Sequence, residues 1–415
     1  MGYCSGIRDL HLFINKEQQT TIGQEMFLSF KMMCEEMSGV PRHVGSIAHI
    51  EHPSDRTFDG PEAAQHAVDT LRGAATGTAP ISRKIDDKMS YNVIKTPDGR
   101  VGVKYKGKGS HYNFTSEDVD TQHGHKPYLA HPLKLLLEHL PKVLPDRPGE
   151  WQGGYMSDPS MRTISNGRIS HQPNTIEYSV PTDTKEGQKL RNSKVSTVIH
   201  SELTGPNREA HPVTDLSEFK EHPDVHMVSH LVSHDEQHGI DPVAKRQALT
   251  HLDRAEKLMK NHTYDHLAGH EIPLRTYINS TVSSGEEPTV EGYKEHLGRS
   301  HQKKIDAVKM QKTKEAKTAE RDAAMKHVEE NAKSFGKSLK IHGHVQNATN
   351  ILARALAKSA HGGYGHAIEG KETGPEGFVS NGLKIVDRGE GGFSQANRAR
   401  SQILRISPKL AKMVS

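Results

Sequence analysis

Near residue 206 the sequence changes texture, and that change constrains the fold more than any other feature. Before it, apolar and β-branched runs alternate with Gly, Pro, Asn and Asp, the pattern of short strands joined by turns. From 206 to 372 the chain turns helical in period, polar and rich in Lys, Ala and Glu. A Gly-rich break, Gly362-Gly363-Tyr364-Gly365, then leads into a compact strand pair. The expected architecture is α+β, an antiparallel-sheet core with a large helical insertion. Its parts are an N-terminal strand and helix (1–48), the first part of the core (49–205), the Lys-rich insertion (206–372) and the core completion with a C-terminal segment (373–415).

The chain of 415 residues is only 33% hydrophobic against 26% charged, so much of its surface must be polar and extended. No window approaches 18 uninterrupted apolar residues and no signal-peptide pattern opens the chain, so the expectation is a protein without membrane contact. Two cysteines, Cys4 and Cys34, fit a reducing compartment, read as cytoplasm. The net charge of +4 is uneven: residues 294–340 hold 13 Lys/Arg against 7 Asp/Glu. That segment reads as a solvated face or as an arm that contacts nucleic acid, with Lys303, Lys304, Lys309 and Lys312 as the candidate contacts.

Local signals predict particular elements. Thr21 and Gln24 fit a capping box for a helix carrying Met26, Phe27, Phe30, Met33, Cys34 and Met37. Pro61 opens a helix that turns Ala64, Val68, Leu71 and Ala75 inward and leaves at Gly77. Residues 80–106 read as a β-hairpin with Lys84 near its start and a turn at Pro97-Asp98-Gly99. Pro132 is expected to open a short helix bearing Leu133, Leu136, Leu137 and Leu140. Strands are expected at 175–180, 195–203, 377–380 and 383–386, and helices at 241–261, 288–336 and 345–359. The stripe of Ile305, Val308, Ala316, Ala319, Ala323 and Val328 gives the Lys-rich helix only a narrow buried face.

Five short pieces carry the chemistry: Lys84-Ile85-Asp86-Asp87, Gln152-Gly153-Gly154-Tyr155-Met156, Thr175-Ile176-Glu177-Tyr178, Glu376-Gly377-Phe378-Val379 and Leu383-Lys384-Ile385-Val386. In this order they resemble the motifs of the covalent nucleotidyltransferase superfamily, the ATP-dependent DNA and RNA ligases and related capping enzymes. With the His-Pro-Ser-Asp stretch at 52–55, the whole chain also looks like a group of uncharacterised proteins from large tailed phages. The resemblance implies a ligase adenylation-type core, ATP and Mg²⁺ as cofactors, and RNA or nicked duplex as partner. It also implies a phage-encoded protein in the host cytoplasm or associated with the virion.

On that resemblance Lys84 is the amine that attacks the α-phosphorus, since a desolvated or cation-crowded lysine can act as a nucleophile. Asp86 contacts a ribose hydroxyl or positions the lysine. Glu376 takes the metal and, with Lys384, faces the charge that develops on pyrophosphate. Gly153 and Tyr178 approach the nucleotide, Tyr178 by stacking on the base, while Lys104 and Lys106 meet phosphate or a nucleic-acid backbone. Three positions depart from the motifs: Asp87 stands where the family has glycine, Gly154 where it has an acid, and Val386 where it has a second lysine. These departures support a rival expectation, a non-catalytic binding or virion-associated structural module of the same fold. His226, His230, His234 and His238 recur every four residues, a metal-like spacing only if the segment is helical, which its valines and Leu231 argue against.

Overall fold

The structure is a computed structural model that describes residues 50–389 apart from Lys108 and His361. The described residues up to 204 and from 210 form one compact unit, and the fold is that of this unit. The helix expected from Thr21, together with Cys4 and Cys34, lies outside the described residues.

A short helix α1 (Pro53–Arg56) precedes α2 (Pro61–Thr76), which starts on Pro61 and ends at Gly77 in the left-handed conformation. The inward residues of α2 are fully buried, but against helices distant in sequence: α7 (Pro242–Met259) and α11 (Ala332–Ser359). A helix assigned to the strand-rich half thus supplies the core of the helical layer. Its apolar face shares that core with Ala248, Leu252, Leu352 and Leu356, and with Phe378 and Ile385.

The central sheet runs β9-β8-β4-β2-β3, where β2 is Met89–Lys95, β3 Val101–Tyr105, β4 Gly149–Ser157, β8 Val195–Thr204 and β9 Val225–Met227. Pairing is antiparallel except for the parallel β9-β8 contact. After β3 the capping box of Thr115 and Asp118 opens α3 (Ser116–His123), and α4 (Pro127–His139) follows. Tyr91, Val93, Trp151 and Tyr155 of the sheet share one core with Leu133 and Leu136 of α4. Helix α4 begins on Pro127 rather than Pro132. Pro132 sits inside it, with no N–H to return to the carbonyl of Tyr128, a loss that burial of the leucine face offsets.

A second sheet, β11-β10-β7-β6-β5, joins β5 (Arg162–Ser165), β6 (Arg168–His171) and β7 (Glu177–Pro181) to β10 (Gly365–Ile368) and β11 (Lys371–Thr373). Its tight hairpins turn on Asn166-Gly167 and Glu369-Gly370, both pairs at positive φ, as two-residue turns between twisted strands require. Helix α5 (Lys185–Asn192), capped by Thr184, carries the chain from β7 to β8.

The third sheet corrects the expected hairpin. β1 (Ser82–Lys84) does not pair with β2; it pairs antiparallel with β12 (Gly377–Ser380), which pairs in turn with β13 (Leu383–Ile385). The charged run from Lys84 to Lys88 breaks the strand, because Asp86 turns inward to accept backbone amides from another segment.

Between β8 and β10 the chain is not all helix, since β9 belongs to the central sheet. The Lys-rich stretch divides into α9 (Val290–Asp306) and α10 (Gln311–Glu330). The 28 residues of α11 then run unbroken across the gap expected between 336 and 345. With α8 (Glu271–Ser284) these helices enclose Tyr277, Tyr293, Leu297, Val328 and Phe335. The apolar stripe is narrower than expected: Ile305 and Val328 are buried, whereas Ala316, Ala319 and Ala323 are exposed. Among the described residues no helix is long and apolar enough to cross a membrane.

Candidate functional site

Lys84 ends β1 opposite Gly377, Glu376 immediately precedes β12, and Lys384 is the middle residue of β13 opposite Val379. Lys84 therefore meets two residues from the far end of the described chain on one small sheet. Lys84 Nζ donates to Glu376 Oε1 across 292 residues of sequence. The lysine side chain keeps 31% exposure and the glutamate 14%. Glu376 Oε2 is buried with no hydrogen-bond partner among the described residues. Burial raises the Glu376 carboxyl above its usual range against the pull of Lys84. Burial likewise lowers the Lys384 ammonium, and the Lys84 charge beside it adds to the effect.

The neighbour of Lys84 fixes the strand. Arg83 points to the other face, where it forks onto both carboxylate oxygens of Glu236 (2.5 and 2.6 Å) and donates to the Ala360 carbonyl at 2.9 Å. In the segment packed against β13, Asp55 accepts from Arg388 at 3.1 Å and lies 3.7 Å from His342, all three buried. Burial acts to raise Asp55, but His342 and Arg388 outweigh it and hold the carboxyl below its ordinary range. The amide of Lys384 donates to the Glu51 carbonyl at 2.9 Å, so the segment before α1 is stitched to β13. Sequence reasoning finds Asp55 only as part of the His-Pro-Ser-Asp stretch and does not find Arg83, Glu236 or Arg388, because each partner lies far along the chain.

Asp86 is buried. Its carboxylate accepts the amides of Thr175 (2.6 Å) and Ile176 (2.9 Å) and the side-chain amide of Asn174 (2.9 Å). These bonds direct it to the 174–176 turn, so it ties the second sheet to the Lys84 segment. Tyr178 completes the tie: its hydroxyl accepts the Asp86 amide at 2.8 Å, and its ring, 2% exposed, packs edge-on to Tyr364 and His366. Tyr178 is thus placed as a core aromatic with no free face for a base. Gly153 lies opposite Tyr91, and a Cβ there would stand 2.8 Å from the Tyr91 hydroxyl, so its smallness serves the packing of the central sheet.

Lys104 lies opposite Asn92, with its ammonium 4.6 Å from the centre of the Tyr112 ring. Lys106 comes close to Asp87, and burial lowers its ammonium. Asp87 accepts from the Ser90 hydroxyl at 2.9 Å; burial pushes its carboxyl up to about 6, against the pull of Ser90, Lys84 and Lys106. Lys84, Lys106, Lys384, Asp87 and Glu376 thereby form one cluster of mixed charge. Lys303, Lys304, Lys309 and Lys312 do not join it. They are exposed around the connection between α9 and α10.

Glu376 also lines a cavity of about 710 Å³ with Arg354, Lys358, His366, Thr373 and Asp387, a volume within the range of small-molecule sites. His226, His230, His234 and His238 do not share a helix face: His226 is in β9, His230 in a loop, and the last two in the short helix α6 (His234–His238). Among the described residues no group of three or more His, Cys, Asp or Glu side chains is arranged to hold a metal ion.

Residues 48–401 match the family described as "Family of unknown function (DUF6267)", and the chain belongs to that family. Among curated proteins and among solved structures nothing matches the chain.

Proposed function

We propose that this member of a family of unknown function is a ligase-like nucleotidyltransferase. It would use ATP and Mg²⁺ to form a lysyl-nucleotide at Lys84 and pass the nucleotide to a 5′-phosphate on RNA or nicked nucleic acid. The observation that carries the reading is the meeting of Lys84, Glu376 and Lys384 at one three-stranded sheet, two of them hydrogen-bonded across 292 residues. In the first step the Lys84 amine, its proton released to water at its exposed side, attacks the α-phosphorus. A P–N bond forms, the bond to pyrophosphate breaks, and pyrophosphate leaves with the electron pair.

Lys384 and Lys106 supply positive charge beside the developing anion. The buried, unpartnered Glu376 Oε2 fits a divalent cation as a carboxylate ligand. Such an ion would neutralise charge on the departing pyrophosphate. The exposed lysines between α9 and α10 are the proposed nucleic-acid contact. A phage-encoded protein in the host cytoplasm or on the virion is part of the same reading, and it rests on the resemblance alone.

The second reading, a non-catalytic binding or virion-associated module, draws support from Tyr178 and Asp86 being spent on internal contacts. Incubation with α-labelled ATP or GTP and Mg²⁺, followed by denaturing electrophoresis, separates the two. The enzyme reading expects an acid-labile, alkali-stable label that disappears in Lys84→Ala. No covalent label with either nucleotide overturns it in favour of the second.

A further inference from the structure

Strand β1 has three residues, too few for an alternation of side chains to set its register. Yet the seat of Lys84 depends on that register, because a slip by one residue would turn the lysine to the opposite face, away from Glu376. The constraint comes from the edge of β1 that faces away from β12. There the Arg83 amide donates to the His230 carbonyl at 2.5 Å, the Val232 amide donates to the Ile81 carbonyl at 3.1 Å, and Ser82 bridges Leu231.

The Arg83 side chain closes the lock. It is 6% exposed, and besides Glu236 and the Ala360 carbonyl its guanidinium reaches the Leu231 carbonyl at 2.5 Å. Glu236 is itself fixed: it completes the capping box of α6 with Ser233 and accepts the Gly362 amide at 3.2 Å. Gly362 stands at φ +65°, and a Cβ there would come 2.9 Å from Arg83 Cζ, so this turn lies flush on the guanidinium. The acceptors of the side chain therefore belong to two segments, one where the chain enters the helical layer (231–236) and one where it leaves (360–362). Only the planar fork of an arginine serves a carboxylate and two carbonyls together.

We infer that Arg83 is a positioning residue for Lys84: gripped by both ends of the helical stretch, it sets the register of β1 and so seats the amine against Glu376. The stretch between β9 and β10 thereby takes part in the site, although Lys84, Lys106, Lys384, Asp87 and Glu376 all lie outside it. The inference rests on the proposed role of Lys84, but its geometry and its first readout involve no nucleotide.

The test uses the full chain as wild type, Arg83→Met, Arg83→Lys, Glu236→Gln and the double form Arg83→Met/Glu236→Gln. A water-soluble carbodiimide at one fixed pH joins amines to carboxylates in contact, and Glu376 lines the cavity that admits the reagent. Peptide mass spectrometry reads the Lys84–Glu376 amide against the amide of Lys294 and Glu329, a 2.8 Å pair on α9 and α10 that does not involve β1. Urea denaturation gives the stability of each form, and α-labelled ATP or GTP with Mg²⁺ gives nucleotide labelling.

Folded Arg83→Met should lower the Lys84–Glu376 yield about fivefold or more relative to the Lys294–Glu329 pair. Arg83→Lys should lower it nearly as far, since an ammonium does not replace the fork. The double form separates position from stability: with both charges gone it should regain much of the stability lost in Arg83→Met, while the yield stays low. Where Arg83→Met does not fold, Glu236→Gln makes the same comparison with residue 83 intact. A folded Arg83→Met form with wild-type yield, or a double form that regains yield together with stability, makes Arg83 a structural residue only and overturns the inference. A wild type that forms the Lys294–Glu329 amide but not the Lys84–Glu376 amide overturns the contact that Arg83 is held to position. A wild type that forms both amides but takes no nucleotide label refutes nucleotide transfer and leaves the cross-link to decide the role of Arg83.

Discussion

Replacing Arg388 by methionine tests whether the buried charge knot beside β13 holds the site together. Arg388 and His342 side chains are each 3% exposed and Asp55 11%, and Asp55 faces both. The guanidinium also donates to Asn279, and the Arg388 amide donates to Asn350 at 3.0 Å. Methionine fills much of the same volume, so the loss is electrostatic: the Asp55 carboxylate stays buried beside His342 and His52 but without the guanidinium. Removing one member of such a pair costs about 3–5 kcal/mol, whereas removing both costs much less.

Urea denaturation of the full chain, followed by far-UV circular dichroism, should therefore show Arg388→Met as clearly less stable and Asp55→Asn/Arg388→Met as partly restored. The pH dependence carries a sign. The Asp55 carboxyl is held below its unfolded value, so its contribution is present above about pH 4 and is lost as pH falls. Arg388→Met should flatten that acid limb. A cost under about 1 kcal/mol at pH 7, or a double form worse than the single, would refute the assignment of the knot as a paired buried charge.

Three further outcomes are expected. Asp87 has its carboxyl raised from 3.8 to about 6, so the folded state binds the proton more tightly and stability falls as pH rises through that window. The advantage of Asp87→Asn over wild type should grow by about 2–3 kcal/mol from about pH 4 to about pH 8, read by denaturation at both values, and a constant difference would contradict it. His262 and His270 are drawn down to about 4 and His266 is lowered, burial being the largest cause in each. Stability of the helices around them should therefore fall as pH drops from about 6.5 toward about 4, visible as lower hydrogen-exchange protection factors in α8 and α11 once the slower intrinsic exchange in acid is divided out, and unchanged protection would count against it. Reversing Lys303, Lys304, Lys309 and Lys312 to Glu should weaken retention on nucleic acid and reduce its salt slope by as much as about 0.9 per lost phosphate contact, with stability unchanged.

Helix α2, the pairing of β2 with β3 and the strands β7 and β8 are legible from sequence because their signals are local: proline at a first turn, Pro97-Asp98-Gly99 between alternating runs, β-branched alternation. The joining of Lys84 to Glu376 and Lys384 is legible only as motif order. The hairpin reading fails at β1 because a three-residue strand carries no periodicity that says which edge it will seek. The role of Tyr178 is hidden for a related reason: a strand alternation does not show that both faces of a sheet are covered. Asp87 and Gly154 look like two separate losses from a motif, yet in space they are a single substitution of one side chain by another.

The strand that bears Lys84 finds its mate at Gly377. During translation the amine therefore waits for its Glu376 partner until the ribosome has added the 292 residues that separate them. A product cut short before that point keeps β1 as an open edge that invites addition of foreign strands. It also lacks the acid that meets the amine. Whatever the cluster does, then, requires a chain made through β12.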